Sequence, residues 1–396
     1  SCSINGCRTI PAMSEIESAV DLIRNAKQPV IYTGNGAIVS GAFAEVAHLS
    51  QMLKAPVFST ISGKGIMLFN PNLESNLYFG TIGLFGEKPN HRFIRSKTDL
   101  LIVVGNRLTE DDTANFKVPG QNLEMIQIDI DPAEIGLSYN PLGVIGDPKE
   151  ALKEIIDILL ENRNNQSNNN DEILKERIKN LEALKKWHDE YRNSDNAKWM
   201  FSNPIKPQRV LKAISDNFTE NDYLITDASS SSRWIGAYFP IKSIGRKIIT
   251  PRGVGPTGFG VGALIGTCIA DNLIFTKNNK SKKILFSGDG GLMNGGITEF
   301  ETIKKLNLNC SIVVINNYSL GFVKFGQALL FKHKYYETDR PNTNFAKIVE
   351  SFGGYGLQVE NLNQLDSAIK DALNYDGFSL VDVIIDPMEL LPPNFY

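Results

Sequence analysis

The chain has 396 residues, 42% hydrophobic and 21% charged, with a formal net charge of -3. That length is too great for one core and fits two or three domains of ordinary globular composition. The slight acidity argues against a general nucleic-acid surface, and no run of about 18 apolar residues provides a membrane-spanning helix. Ser1 to Met13 lacks the charged and apolar blocks of a signal peptide. The four cysteines (Cys2, Cys7, Cys268, Cys310) are too few for a disulfide scaffold. Cys2 and Cys7 lack the second pair that a zinc site needs. The expectation is a reduced, cytoplasmic protein.

In chain order, the first half alternates β-branched runs with amphipathic stretches. Ser14 heads an S-x-x-E capping box with Glu17, and Ala19, Val20 and Ile23 follow at helical spacing. The runs 29–34, 56–60, 99–105 and 125–129 are apolar on both faces and end in or beside small or acidic residues, as buried parallel strands do. A further helix is predicted from Pro148 to about Leu160. Glycines and short polar residues collect where these strands end: Gly34, Gly36, Thr60, Ser62, Gly63, Gly86, Gly105, Asn106, Arg107, Asp129 and Asp147. In an open parallel sheet that edge is where ligands bind. The third glycine after Gly34 and Gly36 comes only at Gly41, so the dinucleotide-binding spacing is not met.

Asn162 to Asp171 contains no apolar residue and reads as an exposed linker, followed by a charged helix from Glu172 to about Arg192. After Pro204 and Pro207 a second series begins, with strands predicted at 223–227, 284–287, 310–315 and 380–385. Phe300, Ile303 and Leu306 are expected on one buried helix face. The basic run Lys277 to Lys283 reads as a solvated loop. The fold class is therefore α/β, with two doubly wound, mostly parallel-sheet domains. No 20–50-residue repeat is evident.

The strongest chemical signal lies between Gly288 and Asn317. A buried strand runs into Gly288-Asp289-Gly290-Gly291, then a helix carrying Glu299 and Thr302, then a second buried strand ending in Asn316-Asn317. Neighbouring parallel strands open on one edge, so Asp289 and Asn317 converge there. Their hard oxygens, with a backbone carbonyl beyond, suit octahedral Mg²⁺ that keeps positions for a diphosphate. Gly288, Gly290 and Gly291 let backbone N–H groups approach phosphate oxygens, and the following helix points its positive end at them.

On these motifs the sequence resembles the thiamine-diphosphate-dependent 2-oxoacid enzymes of the acetolactate synthase and pyruvate oxidase group, from Ser14 to about Pro393. The resemblance implies that Asp289, the Asn317 side chain and the main-chain oxygen of Ser319 hold the metal. It places Ala228, Ser229, Ser230, Ser231, Gly255, Thr257, Gly288, Gly290, Gly291 and Gly321 around thiamine diphosphate. The stretches 323–331, with Tyr335 and Thr338, and 344–386, with Leu391 to Pro393, resemble the same enzymes. Asp227 to Ser232 stands where a Gly-Gln-His run is usual, with hydroxyls at Ser229 to Ser231 that can donate to phosphate oxygens. Thr257 stands where a bulky apolar residue props the cofactor, and Gly326 where biosynthetic acetolactate synthases carry an acceptor-selecting Trp. One extra residue lies between Gly290 and Glu299.

In relatives, Gly105-Asn106-Arg107, Asp129 to Pro132 and Gly146-Asp147 match segments that bind FAD or an ADP moiety. Arg107 would meet a phosphate and Asp129 a ribose hydroxyl. FAD, ADP and an empty nucleotide fold stay open. The implied organisation is a linker remnant over 1–13, a central nucleotide-binding-type domain over 14–161, a linker and helical connection over 162–203, and a thiamine-diphosphate domain over 204–396. The glutamate that activates the cofactor's aminopyrimidine belongs to a separate pyrimidine-binding domain, so no catalytic residue is expected on this chain. The implied activity is decarboxylation of pyruvate with carboligation to acetolactate. An FAD-dependent pyruvate oxidase and a non-catalytic nucleotide-binding module are the alternatives. Expected partners are a 2-oxoacid, a pyrimidine-binding domain or chain, and further copies or subunits of an oligomer. Of the four histidines, His48, His91 and His188 read as solvated or core-satisfied. Only His333, beside the expected site, stays open.

Overall fold

The computed structural model describes residues 8–68, 76–84, 86–161, 169–274 and 281–389. Cys2, Cys7, most of the 162–171 linker, the start of the 277–283 basic run and Leu391 to Pro393 lie outside them. Two compact units result. One comprises the described residues up to Arg192 together with Ile244–Arg246, and the other comprises Asn193–Ser243 and the described residues from Lys247 onward.

The first unit is a sheet of six parallel strands: β1 (Pro29–Thr33), β2 (Val57–Ser59), β3 (Tyr78–Thr81), β4 (Leu100–Val104), β5 (Glu124–Asp129) and β6 (Leu142–Ile145). Their order is β3-β2-β1-β4-β5-β6. The chain steps outward from β1 to β3, then returns to the other side of β1, so the topological switch lies between β1 and β4. Helices α1 (Met13–Asn25), α2 (Asn35–Ser40), α3 (Phe43–Leu53), α4 (Lys88–Ser96) and α5 (Pro148–Glu161) flank the sheet. Apolar residues at helical spacing give α1 a single buried face of Ile16, Ala19, Val20 and Ile23. That face joins α3, α5 and one face of the sheet in a continuous core. α6 (Asn169–Trp199) follows and belongs to the first unit as far as Arg192.

The second unit repeats the plan. Its elements are α7 (Pro207–Asp216), β7 (Tyr223–Thr226), α8 (Ser230–Tyr238), β8 (Ile248–Ile249), α9 (Phe259–Ile274), β9 (Lys283–Gly288), α10 (Asp289–Gly295), α11 (Phe300–Lys305), β10 (Cys310–Asn316), α12 (Gly321–Leu330), α13 (Phe345–Ser351), β11 (Tyr355–Val359), α14 (Leu362–Asn374) and β12 (Phe378–Ile384). The strands are parallel, in the order β11-β12-β10-β9-β7-β8. β8 and β9 lie on opposite sides of β7, so the switch lies between β7 and β9. β9 and β10 are buried along nearly their whole length, and separate cores cover the two sheet faces.

Four local expectations are corrected. The Ser14–Glu17 capping box does not form; α1 starts at Met13, capped by Ala12 without a side-chain bond, and Ser14 lies inside the first turn. Part of the presumed linker, from Asn169, is already helical, and α6 runs on to Trp199 instead of ending near Arg192. The single helix expected to carry Glu299 and Thr302 is broken. α10 is only 7 residues long, a 3₁₀ turn covers Ile297–Glu299, and α11 restarts at Phe300. Four glycines between 290 and 296 weaken a continuous helix. Leu306 falls just beyond α11 and is exposed, although Phe300 and Ile303 are buried as expected.

Candidate diphosphate and metal site

In the second unit, β9 and β10 pair with Gly288 opposite Ile315, so Asp289 and Asn317 leave the same sheet edge beside one another. Asn316, the last residue of β10, turns inward, and its amide donates to the Thr343 carbonyl (3.1 Å) and to Asp382 Oδ1 (3.0 Å). The second asparagine is therefore the one left at the edge. Its Oδ1 accepts from the Ser319 N–H (3.1 Å), which curls the loop back under the strand ends. Tyr318 takes a left-handed φ of 51° in that turn. The loop is held from outside. Leu320 N–H donates to the Thr338 carbonyl (2.8 Å), the Ser319 hydroxyl to the same carbonyl (3.0 Å), and Arg340 N–H to the Tyr318 carbonyl (2.8 Å).

Asp289 is 4% exposed. Burial pushes its carboxyl up to about 6, against backbone N–H groups at Gly290 and Ser319 and the Arg340 guanidinium, which favour the anion. Arg340 Nε lies 3.7 Å from Asp289 Oδ2. A buried carboxylate with unspent acceptor capacity, next to an amide oxygen and a main-chain carbonyl, fits the hard-oxygen set of Mg²⁺. No other candidate competes: among the described residues no three His, Cys, Asp or Glu side chains converge on a metal position.

The remaining predicted residues gather around Asp227, which the sequence reading placed at the head of the 227–232 run without giving it a role. It ends β7 on the switch-point side, is 2% exposed, and its carboxyl is raised by burial. It accepts from the N–H groups of Ala228 (2.6 Å), Gly258 (3.0 Å) and Gly260 (3.3 Å). One side chain thereby ties the 228–231 turn to the loop carrying Gly255 and Thr257. Gly291 closes the cluster: a Cβ there would sit 3.0 Å from the Asp227 carboxyl and 3.1 Å from the Ser287 hydroxyl. A Cβ on Gly321 would sit 2.9 Å from Asn317 Nδ2 and 4.0 Å from the Ser230 hydroxyl. The ends of β7, β9 and β10 thus come together around the β7/β9 crevice, where doubly wound sheets bind ligands.

The serines are not equivalent. Ser231 is buried and donates its one hydroxyl proton to the Asp227 and Ala228 carbonyls (both 3.0 Å), so it has no proton for a phosphate. Ser229, at φ 73°, and Ser230 sit half-buried at the start of α8. Thr257 is exposed, and its hydroxyl oxygen accepts from Asn294 Nδ2 (2.7 Å). His333 is exposed and its Nδ1 pairs with the Tyr335 hydroxyl (3.0 Å).

In the first unit, Gly34, Gly36 and Gly105 meet at the β1/β4 switch. A Cβ on Gly34 would fall 2.3 Å from the Gly105 carbonyl oxygen, and one on Gly105, at φ 57°, would fall 2.4 Å from Ala37 N. These glycines let two strand ends touch. Asn106 is 3% exposed, with Oδ1 accepting from Leu108 N–H (3.0 Å) and Nδ2 buried without an acceptor among the described residues. Arg107 is exposed, 3.8 Å from Glu134. Burial raises the Asp129 carboxyl, which accepts from Asp131 N–H (3.0 Å). Thr60 Oγ1 accepts from Gly63 N–H (3.0 Å) and shapes the turn after β2. Gly86 packs against Ile82, where a Cβ would meet its Cα at 2.5 Å. Asp147 is already engaged. Although burial opposes ionisation, bonds from Ser40, the Lys149 N–H and Arg8 hold its carboxyl below the usual range. It caps α5 and has little capacity left for a nucleotide.

A family model described as the thiamine pyrophosphate enzyme central domain matches residues 16–155, and one described as its C-terminal TPP binding domain matches 227–383. A probable acetolactate synthase large subunit from Methanococcus aeolicus is 33% identical over 397 residues, covering 97% of this chain and 63% of that protein. The acetolactate synthase large subunit of Porphyra purpurea is 30% identical, over 96% of this chain and 61% of its own length. A probable large subunit from Methanocaldococcus jannaschii is 29% identical, over 97% and 62%. The chain thus spans about three fifths of the length of these relatives.

Proposed function

The chain belongs to the thiamine pyrophosphate enzyme family, and from that premise we propose that it forms the diphosphate- and metal-holding part of an acetolactate synthase-like enzyme acting on pyruvate. The observation that carries this reading is the buried Asp289 carboxylate beside Asn317 at the β7/β9 crevice, enclosed by turns that Asp227 holds together. Asp289, Asn317 and the Ser319 carbonyl would hold Mg²⁺, and the glycine N–H groups with Ser229 and Ser230 would hold phosphate oxygens. Thiamine diphosphate, once bound, supplies a C2 carbon able to stabilise the carbanion left by decarboxylation. This chain's own residues anchor and neutralise the diphosphate, and the walls of the crevice exclude water. The proton of the aminopyrimidine falls to a pyrimidine-binding domain, in the same polypeptide or another. The relatives bear the name large subunit, which supports an assembly of more than one chain.

A specific observation favours a nucleotide in the first unit. Asn106 Nδ2 is a buried donor without an acceptor at the β1/β4 switch, and Arg107 is exposed beside it. FAD is the reading we favour there, with ADP second. The test of the whole is turnover of pyruvate with Mg²⁺, thiamine diphosphate and a pyrimidine-binding domain. Acetoin after acidification marks acetolactate, and peroxide or reduced dye marks the oxidase. Absence of turnover with any acceptor overturns both.

A further inference from the structure

Arg340 is not used by the metal and diphosphate set described above. Three observations single it out. Its backbone is part of the scaffold, since its N–H donates to the Tyr318 carbonyl (2.8 Å) and its neighbour Asp339 bridges to Ser319. Its side chain is 24% exposed and turns inward: Nε is 3.7 Å from Asp289 Oδ2, and Nη1 is 4.0 Å from where a Gly290 Cβ would stand. Asp339 does not hold it, because that carboxylate pairs with Lys324 Nζ (2.8 Å). Among the described residues no acceptor takes a hydrogen bond from the guanidinium, and Asp289 is its one carboxylate within ion-pair range. A half-buried guanidinium with a planar fork of free donors, over the glycine turn, has the geometry that recognises phosphate.

The bare site already holds the Asp289 carboxylate, with the buried Asp227 carboxyl behind the glycine turn. A diphosphate adds several negative charges, and one divalent cation also coordinated by Asp289 leaves a surplus of negative charge. Resting on the site reading above, we infer that Arg340 is a diphosphate-binding residue. When the cation takes Asp289, the guanidinium is released from its loose pairing and donates to the phosphate oxygens. The site would then hold an organic diphosphate through two cations, one inorganic and one belonging to the chain.

The test is calorimetric titration of the chain with thiamine diphosphate and, separately, thiamine monophosphate, in Mg²⁺, for wild type, Arg340→Gln and Arg340→Lys. One or two charge-assisted hydrogen bonds correspond to a loss of about 10- to 100-fold in affinity. The expected result is that loss for thiamine diphosphate with Arg340→Gln, partial recovery with Arg340→Lys, and a smaller loss for the monophosphate. The ligand-free thermal midpoint should fall only slightly, because the guanidinium donates no hydrogen bond to the fold and meets Asp289 only at 3.7 Å. Wild-type affinity in Arg340→Gln overturns this inference alone and leaves the site reading standing. Absence of thiamine diphosphate binding by the wild type in Mg²⁺ overturns both. An equal loss for the two ligands, together with a markedly lowered midpoint, shows a structural role and overturns the inference.

Discussion

Replacing Asp289 by Asn should make the metal-free chain more stable and the metal–diphosphate site useless. The carboxyl is nearly buried, and burial lifts it from its ordinary value of 3.8 to about 6. A raised acid is a stability cost at high pH. Below about pH 4 it is protonated in both folded and unfolded chains and costs nothing. Between about pH 4 and 6 the unfolded chain ionises first, and above about pH 6 the full deficit is present. Two pH units correspond to about 3 kcal/mol. Asparagine keeps the shape and one oxygen for the Gly290 N–H, so most of that deficit should disappear. Urea unfolding in EDTA should find wild type and Asp289→Asn nearly equal at pH 4, with the variant ahead by about 3 kcal/mol at pH 8. Adding Mg²⁺ and thiamine diphosphate should reverse the order, because only the wild type gains binding energy. A variant less stable than wild type at pH 8 without metal would refute the claim that this carboxylate is stored at a cost.

Asp227→Ala removes the acceptor shared by the Ala228, Gly258 and Gly260 N–H groups. The expected loss is about 2–4 kcal/mol by urea unfolding, and Asp227→Asn should recover most of it; an unchanged midpoint in the alanine variant contradicts this. Arg177, on α6, donates to the carbonyls of Lys27 (2.9 Å), Leu53 (2.7 Å) and Ala26 (2.8 Å), closing the ends of α1 and α3. Arg177→Met fills the volume without the donors and should cost about 3–5 kcal/mol, while a loss under about 1 kcal/mol would show that water replaces it.

The sequence reading and the structure part company along physical lines. Strands buried on both faces announce themselves, and β1, β2, β4, β5, β7, β9, β10 and β12 were all legible as apolar runs. The strands it missed are β3, β6, β8 and β11, the outermost strands of the two sheets. Gly80, Gly143 and Gly356 interrupt the apolar runs of three of these, and β8 is only 2 residues long. The convergence of Asp289 and Asn317 on one sheet edge was legible because Gly-Asp-Gly and Asn-Asn sit at the ends of strands whose pairing follows from their burial. The role of Asp227 was not, because a lone Asp after a strand looks like any turn residue until the N–H groups donating to it are counted. Arg340 lies some fifty residues from Asp289 and reaches it only because the 338–340 segment pins the Tyr318 turn. Asp147 shows the opposite case: the resemblance places it in a segment that binds FAD or ADP in relatives, but its carboxylate is taken up by Ser40 and the first N–H groups of α5.

The central claim is that the ends of β7, β9 and β10 hold a metal–diphosphate pair. The most direct measurement is anomalous diffraction from crystals grown with thiamine diphosphate and Mn²⁺ standing in for Mg²⁺. The account predicts an anomalous peak at about 2.2 Å from oxygens of Asp289, Asn317 and the Ser319 main chain, with phosphate oxygens completing the octahedron. A peak on other ligands, or diphosphate density away from the β7/β9 crevice, would contradict it.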